Sequence, residues 1–79
     1  MRLYWYESAL EETFLGTYET AKKLWKAVYE FLQTNYIKSY YQRLTVEKDR
    51  IWIDYGSQDQ YLYVTDYTEE QLKELTGGK

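Results

Sequence analysis

Between Arg43 and Val64 the side chains alternate in character at every second position. Leu44, Val46, Ile51, Ile53, Leu62 and Val64 are aliphatic, and between them fall Arg43, Thr45, Trp52, Asp54, Tyr61 and Tyr63. A period of two belongs to a strand, whose successive side chains point to opposite faces of a sheet. Taking Lys48-Asp49 as the tip of a hairpin sets Val46 against Ile51, Leu44 against Ile53, Thr45 against Trp52 and Arg43 against Asp54. Apolar then meets apolar and opposite charges meet across the strands. A loop at Gly56-Ser57-Gln58-Asp59 continues the pattern, with Ile51 facing Val64, Trp52 facing Tyr63, Ile53 facing Leu62 and Asp54 facing Tyr61. The segment reads as a three-stranded antiparallel meander with an aliphatic inner face. Its outer face carries Tyr41, Arg43, Thr45, Trp52, Asp54, Tyr61 and Tyr63.

The first half has a different period. Leu3 and Trp5 alternate with Arg2, Tyr4 and Tyr6, as in a strand with one buried face. Ser8-Ala9-Leu10-Glu11 fits a capping box and predicts a short helix to about Leu15. Gly16 is read as the left-handed residue that ends it, with Thr17 capping the next helix; the alternative is one continuous helix with Gly16 inside it. Ala21, Leu24, Trp25, Val28, Phe31 and Leu32 then recur at intervals of three and four, opposite Lys22, Lys23, Lys26 and Glu30, with Glu19 four residues before Lys23. This spacing predicts an amphipathic helix of about 16 to 19 residues. Near the end, Thr68-Glu69-Glu70-Gln71 is a second capping box, flanked by Tyr67 and Leu72 as a hydrophobic staple, and it predicts a short helix to about Thr76.

Together these elements predict an α+β fold: an antiparallel sheet, built of the meander plus an N-terminal strand, with one long helix packed on one face, in the order β-α-α-β-β-β-α. A right-handed crossover would lay the first strand at an edge, parallel to the second or fourth strand. With no proline, repeat or linker, residues 1–76 are expected to form one small domain and 77–79 a frayed tail.

Eleven of the 79 residues are tyrosine, which with Trp5, Trp25, Trp52, Phe14 and Phe31 is more aromatic surface than one small core hides. Rings left over lie at the surface, where they supply large, rigid contact area. The net charge of −3 opposes phosphate-driven nucleic-acid binding. It arises in the second half, where Glu47, Asp49, Asp54, Asp59, Asp66, Glu69, Glu70 and Glu74 outnumber the bases, and a basic partner would meet that acidity. The Lys22, Lys23 and Lys26 cluster reads as a solvated helix face.

Chemistry is bounded by what is missing. Without His or Cys the chain has neither of the commonest groups that titrate near neutrality, nor thiolate or imidazole metal ligands. Glu11-Glu12 and Glu69-Glu70 are sequence neighbours, which in the helices predicted there point apart; they read as first-turn acids favoured by the helix dipole. Asp54 and Asp59 flank a glycine turn without the ligand spacing of a calcium loop. No enzyme activity, metal or cofactor is expected. The absence of disulfides, of a secretion signal and of any run near the ~20 apolar residues of a membrane span points to a cytoplasmic protein without membrane contact.

The expectation is a non-enzymatic protein-interaction module that binds stoichiometrically, as an inhibitor or accessory protein, to a protein partner or to its own copy. The residues expected to carry contact are Tyr41, Arg43, Trp52, Asp54, Tyr61 and Tyr63, at the centre of the open sheet face. The alternative is a single-stranded nucleic-acid module that stacks bases on the same rings, with Arg43 and Arg50 touching phosphates. Nucleic acid is the less favoured partner because basic residues are scarce.

Overall fold

The computed structural model describes residues 1–7, 11–38, 42–57 and 59–77. Among them the elements run β1 (Arg2–Glu7), β2 (Glu11–Thr17), α1 (Ala21–Thr34), β3 (Arg43–Val46), β4 (Ile51–Asp54), β5 (Gln60–Thr65) and α2 (Glu69–Leu75). The five strands form one antiparallel sheet in the order β2-β1-β5-β4-β3. The α+β class, the meander and the long helix agree with the sequence reading. Its register does too: Arg43 opposes Asp54, Leu44 Ile53, Thr45 Trp52 and Val46 Ile51, and on the other side Ile51 opposes Val64, Trp52 Tyr63 and Ile53 Leu62.

The segment expected to be a first short helix is instead the strand β2, so the order is β-β-α-β-β-β-α. Ser8, Ala9 and Leu10 of the expected capping box lie outside the described residues. From Glu11 onward, Thr13, Phe14 and Thr17 favour a pleated surface over a helix, and β1 supplies a neighbour whose edge they complete. Between Leu3 opposite Gly16 and Tyr4 opposite Phe14 the register slips, leaving Leu15 as an extra residue. The bulge lets half-buried Leu15 pack on the core while Phe14 rings with Tyr4 on the other face, centroids 5.4 Å apart. Gly16 sits under the Tyr18 ring, where an added methyl would come within 2.6 Å of the hydroxyl oxygen. Gly16 therefore neither ends a helix nor lies within one.

β1 is also not an edge strand. It runs antiparallel to both neighbours, pairing Tyr4 with Tyr63 and Tyr6 with Tyr61 on β5. α1 consequently carries the chain from one edge of the sheet to the other. It is capped by Thr20, whose hydroxyl accepts from the Lys23 amide at 3.2 Å, rather than by Thr17, which is still in β2. Its first turn holds no acid of its own, and the Glu74 carboxylate of α2 faces the Ala21 amide at 3.5 Å instead. A carboxylate there complements the positive end of the helix dipole. α2 has the expected capping box, with the Thr68 hydroxyl accepting from the Gln71 amide and the Gln71 side chain from the Thr68 amide.

Both helices cover the same face. Ala21, Leu24, Val28 and Leu32 of α1 and Leu75 of α2 join Leu3, Ile51, Ile53, Leu62 and Val64 in one core cluster, with Tyr55 fully buried among them. Each buried Val, Leu or Ile among them contributes roughly 1.5–3 kcal/mol of transfer free energy before conformational entropy opposes it. At the edge of the core the half-buried Trp5 donates its indole Nε1 hydrogen to the hydroxyl of buried Tyr55 at 3.0 Å, which gives both groups a partner. Burial fades toward β3, a four-residue edge strand where Leu44 is half-buried and Val46 is 50% exposed.

α1 ends in a Schellman turn. The Tyr36 amide donates to the Gln33 carbonyl at 3.1 Å and the Ile37 amide to the Leu32 carbonyl at 2.8 Å. This places Tyr36 at φ 55° with 96% of its surface exposed. Glycine is the usual occupant because a β-carbon in the left-handed region costs about 1–2 kcal/mol. Tyr36→Gly is expected to stabilise the protein by about 0.5–1 kcal/mol after the extra entropy of an unfolded glycine, raising Tm by several degrees in a thermal melt. A fall in Tm would mean that the ring makes a stabilising contact.

Candidate functional site

The face of the sheet away from the helices is aromatic across four strands. Phe14 of β2 meets Tyr4 of β1, and Tyr4 stacks on Tyr63 of β5 with centroids 4.8 Å apart and planes 11° from parallel. Trp52 of β4 touches Tyr63 at 5.2 Å and is met edge-on by Tyr6 at 5.4 Å and Tyr61 at 6.0 Å. Strand alternation and the two ladders through β5 put five of these rings on one side, the bulged β1–β2 pairing adds Phe14, and offset or tilted contacts of this kind add stability beyond area burial.

Within this surface the roles differ. Tyr63, expected to be an open contact residue, is only 5% exposed. The cause is the central position of β1: Tyr4 lies flat on the Tyr63 ring, while the Arg50 guanidinium stands 4.8 Å from its centroid. Burial, with the nearby Glu12 carboxylate of β2 as a further cause, pushes the Tyr63 phenol pKa up to about 12. Tyr63 is thus the floor of the face. Phe14, by contrast, is 54% exposed.

Trp52, Asp54 and Tyr61 come together as expected. With Tyr6 and Thr45 they line an open cleft of about 390 Å³, a size typical of small-ligand sites. Trp52 and Tyr61 are half-buried, and the Trp52 Nε1 donates to Glu47 Oε1 at 2.6 Å. Asp54 is half-buried too, and its Oδ1 accepts from the Gly56 amide at 2.9 Å, an Asx turn that fixes the carboxylate at the cleft wall. Arg43 is exposed opposite Asp54 but does not line the cleft. Tyr41 lies outside the described residues.

Three residues of this surface escaped the sequence reading: Tyr4, Tyr6 and Phe14. The signal for the first two was present, since Tyr4 and Tyr6 repeat the spacing of Tyr61 and Tyr63, and an antiparallel β1–β5 ladder aligns the pairs. Phe14 had no comparable signal, because its side depends on the bulge at Leu15.

The rim is mixed in charge. Glu47 accepts from the Trp52 indole, the Glu12 carboxylate lies near the Tyr63 phenol, and Asp54 enters the cleft wall. Arg50 donates to Asp49 through Nε and Nη2, both at 3.4 Å, while its guanidinium lies 5.6 Å from the Trp52 centroid. Among the described residues no group of three or more carboxylates converges as a metal site would require, and no helix is long and apolar enough to cross a membrane. Compared with protein-family models, curated proteins and solved structures, the chain shows no match.

Proposed function

We propose that this chain is a non-enzymatic interaction module that binds a protein partner stoichiometrically through the aromatic face of its sheet. The observation that carries the reading is the run of rings from Phe14 to Tyr61 on the side that neither helix covers. Such a surface has the composition of an interface centre, in which aromatic residues and arginine dominate binding energy. Tyr63 stiffens it from below and Tyr4 is stacked on that ring, so little side-chain freedom remains to be lost on docking.

The carboxylates of Glu12, Glu47 and Asp54 set among the rings favour a basic protein over the phosphates of a single-stranded nucleic acid. A partner captured from cell extract, purified and remixed with the chain should bind in a defined ratio. Phe14→Ser combined with Tyr61→Ser should weaken that complex by about 30-fold or more while leaving the circular dichroism spectrum unchanged, as expected for loss of a hot spot. Unchanged affinity of the purified pair would remove this face from consideration. A solution mass of twice the chain, lost in the same double variant, would identify a second copy as the partner.

A further inference from the structure

The cleft at Trp52 has a more specific chemistry than an apolar groove. Tyr6 and Tyr61 face each other across β1 and β5, and both stand nearly perpendicular to the indole, at 81° and 79°. Perpendicular rings around one opening present π-electron density to a group seated between them, which attracts a cation. The Asp54 carboxylate forms part of the same wall, and one accepted amide bond leaves most of its acceptor capacity unused. Glu47, bonded to the indole nitrogen, adds negative charge at the edge. Three aromatic walls with one carboxylate are the elements of a cation cage.

Beside the cleft a guanidinium already packs against rings of this face. The Arg50 guanidinium lies 4.8 Å from the Tyr63 centroid and 5.6 Å from that of Trp52. A guanidinium is planar, weakly hydrated and able to stack on a ring while donating to a carboxylate in its own plane, whereas an ammonium is a compact, strongly hydrated charge. We propose that the Tyr6–Trp52–Tyr61 cleft receives an arginine side chain projecting from a basic protein partner, with the guanidinium against the rings and donating to Asp54. This rests on the interface reading only in taking the arginine to belong to a protein. The net charge of −3 and the acids at the rim give the complementarity that steers such a partner to this face.

Titration with N-acetyl-arginine methylamide, followed by the indole N–H resonance of Trp52 and assigned with Trp52→Phe, tests the cage directly. Saturable shifts are expected at millimolar concentration. The citrulline analogue has nearly the same shape without the charge and is expected to bind about 10-fold more weakly or worse. Asp54→Asn keeps the acceptor for the Gly56 amide and removes the charge, and it should weaken arginine binding while leaving resonances remote from the cleft in place. Equal binding of arginine and citrulline, no saturable shift, or no effect of Asp54→Asn would overturn the proposal. If the Phe14 and Tyr61 double variant loses its partner but arginine does not bind, the interface stands and the cage falls. If arginine binds but Asp54→Asn leaves the affinity of the purified partner unchanged, the partner's arginine is ruled out as the occupant.

Discussion

Tyr63→Ala is expected to cost about 3–5 kcal/mol, a large part of the stability of a domain this small. The ring is 5% exposed, stacked under Tyr4, in contact with Trp52 and covered by Arg50, so truncation leaves a void that these three cannot fill without leaving their own places. Phe14→Ala, at a ring already 54% exposed, should cost about 1 kcal/mol or less, since much of its surface stays in water in either state. Urea unfolding of the two variants under identical conditions makes the comparison. If Tyr63→Ala is no worse than Phe14→Ala, then Tyr63 does not support the face in solution.

Alkaline conditions should reach the same residue by another route. The Tyr63 phenol has its pKa raised to about 12, first by burial and then by the nearby Glu12 carboxylate, against an ordinary value near 10. Tyr55 is shifted in the same direction by burial. In each case the unfolded chain gives up the proton at lower pH than the folded one. The stability linked to the neutral Tyr63 phenol is therefore complete below pH 10 and is lost as pH rises through about 12. For Tyr63 the loss is on the order of 2 kcal/mol. Unfolding measured from pH 9 to 12 should show a steeper decline in the parent protein than in Tyr63→Phe, which has no phenol to ionise. Parallel declines would mean that burial of this hydroxyl does not control alkaline stability.

The parts of this fold that could be read from the sequence are those whose evidence is local or self-consistent. The meander was legible because a single register satisfies Leu44 with Ile53, Val46 with Ile51 and Ile51 with Val64 at once, and a slip of one residue would turn every aliphatic outward. α2 was legible because Thr68 and Gln71 make both bonds of their cap within four residues. β2 was not, because the same spacing at Ser8 and Glu11 points to a helix, whereas the neighbour that makes the segment a strand is β1. The partner of β1 was equally hidden, since alternation tells which residues share a side and says nothing about which strand lies next to which.

That distinction also governs the candidate site. Trp52, Asp54 and Tyr61 were placed together because they belong to the meander, whose register was recovered. Tyr6 was missed because it enters from β1, and Tyr63 was taken as open because the cover comes from Tyr4 on that same strand and from Arg50. Parity assigns a side chain to a side, while its accessibility depends on neighbours that parity does not identify.

The placement of β1 between β2 and β5 has a kinetic consequence. Two locally closed units, the β1–β2 pair and the β3–β4–β5 meander, are joined in the sheet only through the ladder that brings Arg2 to Thr65 and Glu7 to Gln60. Closing so long a loop is entropically unfavourable until the rewarding contacts form, so this seam sets the relative contact order and slows the search for the native state. Until it closes, Tyr4 and Tyr63 have not met, and the continuous aromatic face does not exist in either unit alone.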